Sequence, residues 1–387
     1  MIVFIIAGEA SGDKLGAAMM KGFKEQTTQE IEFIGVGGAL MEEMGFTSLF
    51  PMEEISLMGI SEILSQYRHL KRRIGQTASA VLKEKPDVLI TIDLPEFSFR
   101  VANLVKQTSN IPTVHYVAPT VWAWRPARAR KIAKYIDHLL ALFPFEPPLM
   151  QAAGMSCDFV GHPVIDDPIA TQQDINDFRS QFGLNSSPVL LCLPGSRRSE
   201  IKRLAPVFEK SLAKVKAVHP QMNVVLPAAP SVAELVLDTV RHWVHKPIVL
   251  DPREFTLDQA SNLKRAAFKS ADVALAASGT VSLELAVNQT PMVIAYDMNW
   301  ISRQVIGRML QVDSVNLVNL VSNTRTVPEY IGKACQPVAI ASAICDVLEA
   351  PTTQIEAMQS TVERLKSPIS TPGISAAKSV LDFLKSR

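Results

Sequence analysis

With 387 residues, 47% of them apolar and 20% charged, the chain has material for two hydrophobic cores, and its length favours two domains over one. A formal net charge of +1 provides no broad basic face, so nucleic acid is not an expected partner and any anion site must be local. The four cysteines, Cys157, Cys192, Cys335 and Cys345, lack the paired spacing of a zinc or redox motif and are expected to be reduced, buried thiols.

The apolar run Ile2–Ala7 is too short for a secretory h-region, has no basic segment before it and leads into Glu9 and Asp13, so it is expected to be a buried first strand. Further strands are expected at Ile31–Val36, Val88–Ile92, Thr113–Val117 and Leu139–Phe143, with a short one around Phe159. A polar, Pro-containing stretch from His162 to about Asp174 looks like a linker. Beyond it, strand patterns at Val189–Leu193, Val224–Leu226, Ile248–Leu250, Val273–Ala276 and Met292–Ala295 alternate with helical segments such as Lys202–Val218. This alternation predicts the α/β class, with Rossmann-like domains over 1–165 and 175–350 and the cleft between them as the default site. From 351 to 387 the chain reads as a helical tail that packs back across the first domain, with apolar positions at Ile374, Val380, Leu381 and Leu384. No run of roughly 18 apolar residues predicts a membrane span.

The first strand runs into Gly8-Glu9-Ala10-Ser11-Gly12-Asp13, a small-residue loop opening a helix, where backbone N–H groups and the helix dipole can meet a polar ligand. A plain turn capped by Ser11 or Asp13 fits the same spacing. Ser11-Gly12-Asp13-Lys14 lacks the companion motifs of the Ser-x-x-Lys hydrolases. Gly35, Gly37 and Gly38 lack the third glycine of a dinucleotide fingerprint, Leu40 standing in its place, so no nicotinamide cofactor is expected. Asp93 ends an apolar strand, where α/β folds place crevice residues; it can serve as a general base or merely anchor a loop.

In the second half, Gly195-Ser196-Arg197-Arg198 presents two arginines at a helix start, a combination suited to a diphosphate. Ser278-Gly279-Thr280 repeats the arrangement, and Glu284, one turn after Thr280, can accept ribose hydroxyls or be a surface charge. The basic stretch from Trp122 through Trp124 and Arg125 to Lys134 is compatible with nucleic acid, a sugar phosphate, an anionic membrane surface or, the commonest meaning of such a run, a solvated helix face. Leu57, Ile60, Leu64 and Tyr67 recur at helical spacing with Met52 and Met58 alongside, a pattern of either a core helix or a lipid-facing one. No two aspartates stand two apart and the histidines are scattered, so no metal is expected.

Taken in order, Ala7-Gly8-Glu9-Ala10-Ser11-Gly12-Asp13, Ile92-Asp93, His115-Tyr116-Val117 with Pro119 and Val121-Trp122-Ala123-Trp124-Arg125, Gly161-His162, Leu193-Pro194-Gly195-Ser196-Arg197, Ala277-Ser278-Gly279-Thr280 with Glu284, and Cys335-Gln336-Pro337 span nearly the whole chain. Together they resemble the lipid-A-disaccharide synthase family. The resemblance implies a GT-B fold and an inverting hexosyltransferase without cofactor, using UDP-2,3-diacylglucosamine and 2,3-diacylglucosamine 1-phosphate to make a β-1,6-linked disaccharide phosphate and UDP. The mechanism expected with it has Asp93 as the base, Glu9 or Asp13 being next in line, and Gly195, Ser196, Arg197, Ser278, Gly279, Thr280, Glu284 and Asn319 around UDP. Glu9, Ser11, Gly12, Asp13, Trp124 and Arg125 are then expected on the acceptor side, and Leu57, Met58 and Ile60 against membrane lipid. The implied setting is cytoplasmic, peripheral to the inner membrane, with a homodimer possible through the tail. Where the family usually has Leu-Pro-Asn-Leu this chain has Leu317-Val318-Asn319-Leu320, and the functional asparagine is carried onto Asn319. Gly161-His162 is followed here by Pro163.

Overall fold

The computed structural model describes residues 1–56, 67–120, 127–298 and 313–387. Leu57, Met58, Ile60, Trp124 and Arg125 therefore lie outside the described residues. The chain divides into two compact units, Met1–Pro163 with Leu365–Arg387, and Val164–Arg364.

The first unit is built on seven parallel strands, β1 (Ile2–Ala7), β2 (Glu32–Val36), β3 (Thr47–Ser48), β4 (Val88–Ile92), β5 (Thr113–Tyr116), β6 (His138–Ala141) and β7 (Ser156–Phe159), in the order β3-β2-β1-β4-β5-β6-β7. β1 pairs in parallel with both β2 and β4, so the strand order reverses beside it. In open α/β sheets ligands bind outside the carboxyl ends at such a reversal. The runs of Val, Ile and Leu that made these strands legible are apolar on both faces because helices cover both. Phe4, Ile6 and Leu89 pack with Ile74, Phe97 and Val101 from the covering helices, each such side chain contributing roughly 1.5–3 kcal/mol.

The last helix, Pro372–Lys385, is part of this unit. It crosses the Ala10–Gln26 helix so closely that a Cβ on Gly22 would stand 2.5 Å from the carbonyl oxygen of Gly373. His138 Nε2 donates to Ser379 Oγ (2.8 Å), Ser379 donates to Asp158 Oδ2 (2.7 Å), and Phe383 stacks on the imidazole at 4.8 Å. The expected tail is thus split: the Thr352–Leu365 helix lies in the second unit up to Arg364.

The second unit has six parallel strands, β8 (Val189–Leu193), β9 (Asn223–Pro227), β10 (Ile248–Leu250), β11 (Val273–Ala276), β12 (Met292–Tyr296) and β13 (Glu329–Ile331), ordered β10-β9-β8-β11-β12-β13. Two apolar clusters, one around Leu190, Phe208 and Ile344 and one around Leu191, Phe268 and Met358, complete its core. The helix expected from Lys202 starts earlier, at Arg198, because Glu200 accepts the N–H groups of Ser196 and Arg197 and so closes the first turn. In the expected linker, Pro163–Asp166 forms a 3-10 turn and Thr171 caps a helix over Gln172–Gln181. The expected helical spacing falls at Leu57, Ile60 and Leu64 on residues outside the described ones; before them Met52–Glu54 forms a 3-10 turn, and after them a helix spans Tyr67–Glu84.

Candidate active site

In the first unit the chemistry-bearing loops leave the carboxyl ends of β1, β4 and β5. β1 ends at Ala7, and Gly8 lets the chain turn into the Ala10–Gln26 helix; a Cβ there would collide with the Leu94 side chain. Ser11 is exposed and Gly12 buried, lying over Ala7 and Ile92. Asp13 is also buried, its carboxylate accepting N–H bonds from Gly38 (2.9 Å), Leu40 (3.0 Å) and Met41 (3.2 Å). Asp13 therefore caps the Ala39–Glu43 helix, a negative charge at a helix N-terminus, which is where such charge is favoured. Glu9 stands at the helix N-cap position, partly exposed.

Asp93 follows β4 with φ +48°, and Leu94 repeats that value. Val117, just after β5, has φ +80°. Left-handed backbone at a leucine and a β-branched valine costs roughly 1–3 kcal/mol each and concentrates at functional sites. The turn is pinned: Asp93 N–H donates to the carbonyl of Tyr116 (2.9 Å), and Ser98 Oγ donates to the Asp93 carbonyl (2.7 Å). Burial pushes the Asp93 carboxyl above its usual range, partly offset by a bond from the Leu94 N–H. A carboxylate of raised basicity is suited to take a proton.

Behind it, His115 Nδ1 meets Thr91 Oγ at 2.7 Å, and burial with the nearby Arg128 charge lowers the imidazole to about 3, leaving it neutral. Arg128 itself lies 3.7 Å from Glu96 and over the Phe99 ring. Among the described residues no three His, Cys, Asp or Glu side chains gather into a metal-holding group.

In the second unit a cavity of about 680 Å³ is lined by both expected loops: Gly195, Ser196 and Arg197 after β8, and Ser278, Gly279, Thr280 and Glu284 after β11. The volume lies in the range of ordinary ligand pockets, roughly 300–1,000 Å³. Gly195 needs its φ of +115°, and a Cβ on it would meet the Glu200 carboxylate. Because Glu200 already takes the Ser196 and Arg197 N–H groups, anion contact at this loop falls to the side chains, above all the exposed Arg197 guanidinium. Ala277 N–H binds the Leu193 carbonyl (2.8 Å), holding the two loops together. The Val281–Asn288 helix starts at the second loop, where the N–H groups of Ser282 and Leu283 already bind the carbonyls of Gly279 (3.3 Å) and Thr280 (2.9 Å). Glu284 lies against Lys264.

Asn319 is placed elsewhere. It is buried, its Nδ2 donating to the Val327 carbonyl (2.9 Å) and Glu329 Oε2 (3.1 Å), while its Oδ1 accepts the Val327 N–H (3.0 Å). With both ends of its amide occupied by the fold, it ties the Leu317–Ser322 helix to the start of β13. Sequence reasoning missed Ser98, Glu200, Lys264 and Glu329; only Glu200 had a local signal, its position one turn inside a helix start.

A family model described as lipid-A-disaccharide synthetase matches residues 3–376. The lipid-A-disaccharide synthase of Ruegeria pomeroyi is 56% identical over 99% of this chain and 96% of its own length. That of Rhodospirillum centenum is 42% identical over 100% and 96%. Among solved structures, UDP-GlcNAc 2-epimerase from Neisseria meningitidis bound to UDP-GlcNAc aligns with a TM-score of 0.64 at 14% identity, covering 100% of both chains. A glycosyltransferase from Rickettsia africae aligns at 0.58 and 11%, covering 100% of this chain and 97% of that one. These two likenesses speak to the fold, which is GT-B.

Proposed function

The chain belongs to the lipid-A-disaccharide synthase family, a glycosyltransferase of lipid A biosynthesis, and from that premise we propose how it performs the reaction. The donor is UDP-2,3-diacylglucosamine and the acceptor 2,3-diacylglucosamine 1-phosphate. The acceptor 6-hydroxyl oxygen attacks the donor C1 in line, the C1–O bond to the diphosphate breaks with its electron pair going to UDP, and the configuration at C1 inverts. Asp93 accepts the hydroxyl proton. The Arg197 guanidinium and the 278–280 loop stabilise the negative charge gathering on the leaving diphosphate. Glu284 accepts ribose hydroxyls.

The observation that carries this reading is the cavity lined jointly by Arg197 and the Ser278-Gly279-Thr280 loop with Glu284 at its wall. Asn319 has no direct part in it, its amide being spent inside the fold. Asp13, bound by three backbone N–H groups, is poorly placed to replace Asp93 as base. Base and donor loops belong to different units, so each unit alone is expected to be inactive.

The acyl chains of both substrates call for work at a lipid surface, with Leu57, Met58 and Ile60 as the contact, at the inner face of the cytoplasmic membrane. Among the described residues no helix is long and apolar enough to cross a membrane. A homodimer belongs to the same reading, and light scattering in detergent tests it. Replacing Asp93 by Asn tests the base: kcat should fall by about 10²–10⁴-fold with UDP affinity kept, and near-normal turnover in a folded variant would remove Asp93 from this role.

A further inference from the structure

Glu284 does not stand alone in the wall of the donor cavity. Lys264, on the Leu257–Ser270 helix, brings Nζ to Glu284 Oε2 at 2.5 Å, and both residues line the cavity. The lysine is held from below. Its ammonium lies 5.2 Å from the ring centroid of Phe268, one helical turn onward, a residue that is buried and also lines the cavity. The pair is partly exposed, at 49% for Lys264 and 33% for Glu284, so its contribution to stability is small.

We propose that Lys264 is a positioning residue for the donor ribose. It rests on the reading of Glu284 as the ribose carboxylate. A glutamate has three side-chain torsions, and a free one would lose that freedom on binding the donor. Lys264 fixes the carboxylate beforehand through Oε2 and leaves Oε1 as the acceptor for a ribose hydroxyl. The rotamer is thereby set before the nucleotide arrives, and the effect belongs to donor binding rather than to the bond-breaking step.

Calorimetric titration with UDP, 2′-deoxy-UDP and 3′-deoxy-UDP, on the wild type, Lys264→Met and Lys264→Arg, tests this. The wild type should prefer UDP over at least one deoxy ligand. Lys264→Met should weaken UDP about fivefold while binding that deoxy ligand as the wild type does, so the preference shrinks. Donor KM should rise with kcat within about twofold, and Lys264→Arg should keep the preference. Equal weakening of UDP and the deoxy ligands, no change, or tighter UDP binding by Lys264→Met would overturn the positioning role while leaving Glu284 at the ribose. A wild type that binds all three ligands alike would overturn the ribose reading of Glu284 itself, and this inference with it.

Discussion

Ser98 donates its hydroxyl to the carbonyl oxygen of Asp93 across 2.7 Å, five residues back along the chain. The bond holds a turn in which Asp93 and Leu94 are both left-handed. Replacing Ser98 by Ala removes it and should cost about 1–2 kcal/mol of stability. Activity should fall further than the stability loss explains, because the carboxylate loses its fixed approach. Chemical denaturation beside steady-state kinetics separates the two effects.

Gly8 and Leu94 compete for one space. Gly8→Ala should displace the leucine, costing about 1–3 kcal/mol, and should lower kcat/KM by disturbing the Asp93 turn. Leu94→Ala in the same chain should recover much of both losses. A double-mutant cycle reads the coupling directly, and additive losses would mean the two residues do not share the space.

The raised carboxyl of Asp93 has two consequences. The acid limb of the kcat/KM profile, which reports the free enzyme, should lie above the ordinary carboxylate value. Because the folded pKa exceeds the unfolded one, the group favours folding only at low pH, and that contribution is lost as pH rises through the folded value. Asp93→Asn should therefore be at least as stable as the wild type at pH 7 while nearly inactive, measured by denaturant midpoint and turnover on the same preparation.

His115 works in the opposite sense. Burial and the Arg128 charge lower it from 6.5 to about 3. The unfolded chain then binds a proton that the folded one refuses, so stability is full above about 6.5 and declines as pH falls toward 3, by at most about 1.4 kcal/mol per pH unit. His115→Gln should flatten that part of the curve.

Asn319 and Arg197 should separate cleanly. Asn319→Ala leaves the Val327 N–H and carbonyl without their side-chain partner and takes one donor from Glu329, which keeps Ser314, Val315 and Asn316; it should cost about 2–4 kcal/mol, with UDP affinity nearly kept in the folded fraction. Arg197→Ala, at a guanidinium that is 73% exposed, should leave stability unchanged and weaken UDP roughly tenfold to a hundredfold.

How far the sequence carried depended on what each residue answers to. β10 and β11 were legible to the residue because short β-branched and apolar runs between turn residues have few other uses. The two-residue β3 and the polar edge strand β13 have no such pattern, since an edge is set by its neighbour rather than by its own side chains. Arg197 and the 278–280 loop were legible because phosphate recognition has a local signature at helix starts. Lys264 was not, as its partner Glu284 is twenty residues away and only the packing of two helices brings them together. Asn319 shows the converse: a motif position was identifiable, but the use of its amide depended on Val327 and Glu329, which no spacing announces.

The most direct measurement is mass spectrometry of the products formed from UDP-2,3-diacylglucosamine and 2,3-diacylglucosamine 1-phosphate, in detergent with a metal chelator present. The account predicts a disaccharide 1-phosphate and UDP in equal amounts from the wild type, and both formed about 10²–10⁴-fold more slowly by Asp93→Asn. Recovery of both substrates intact from well-folded wild-type protein would contradict it.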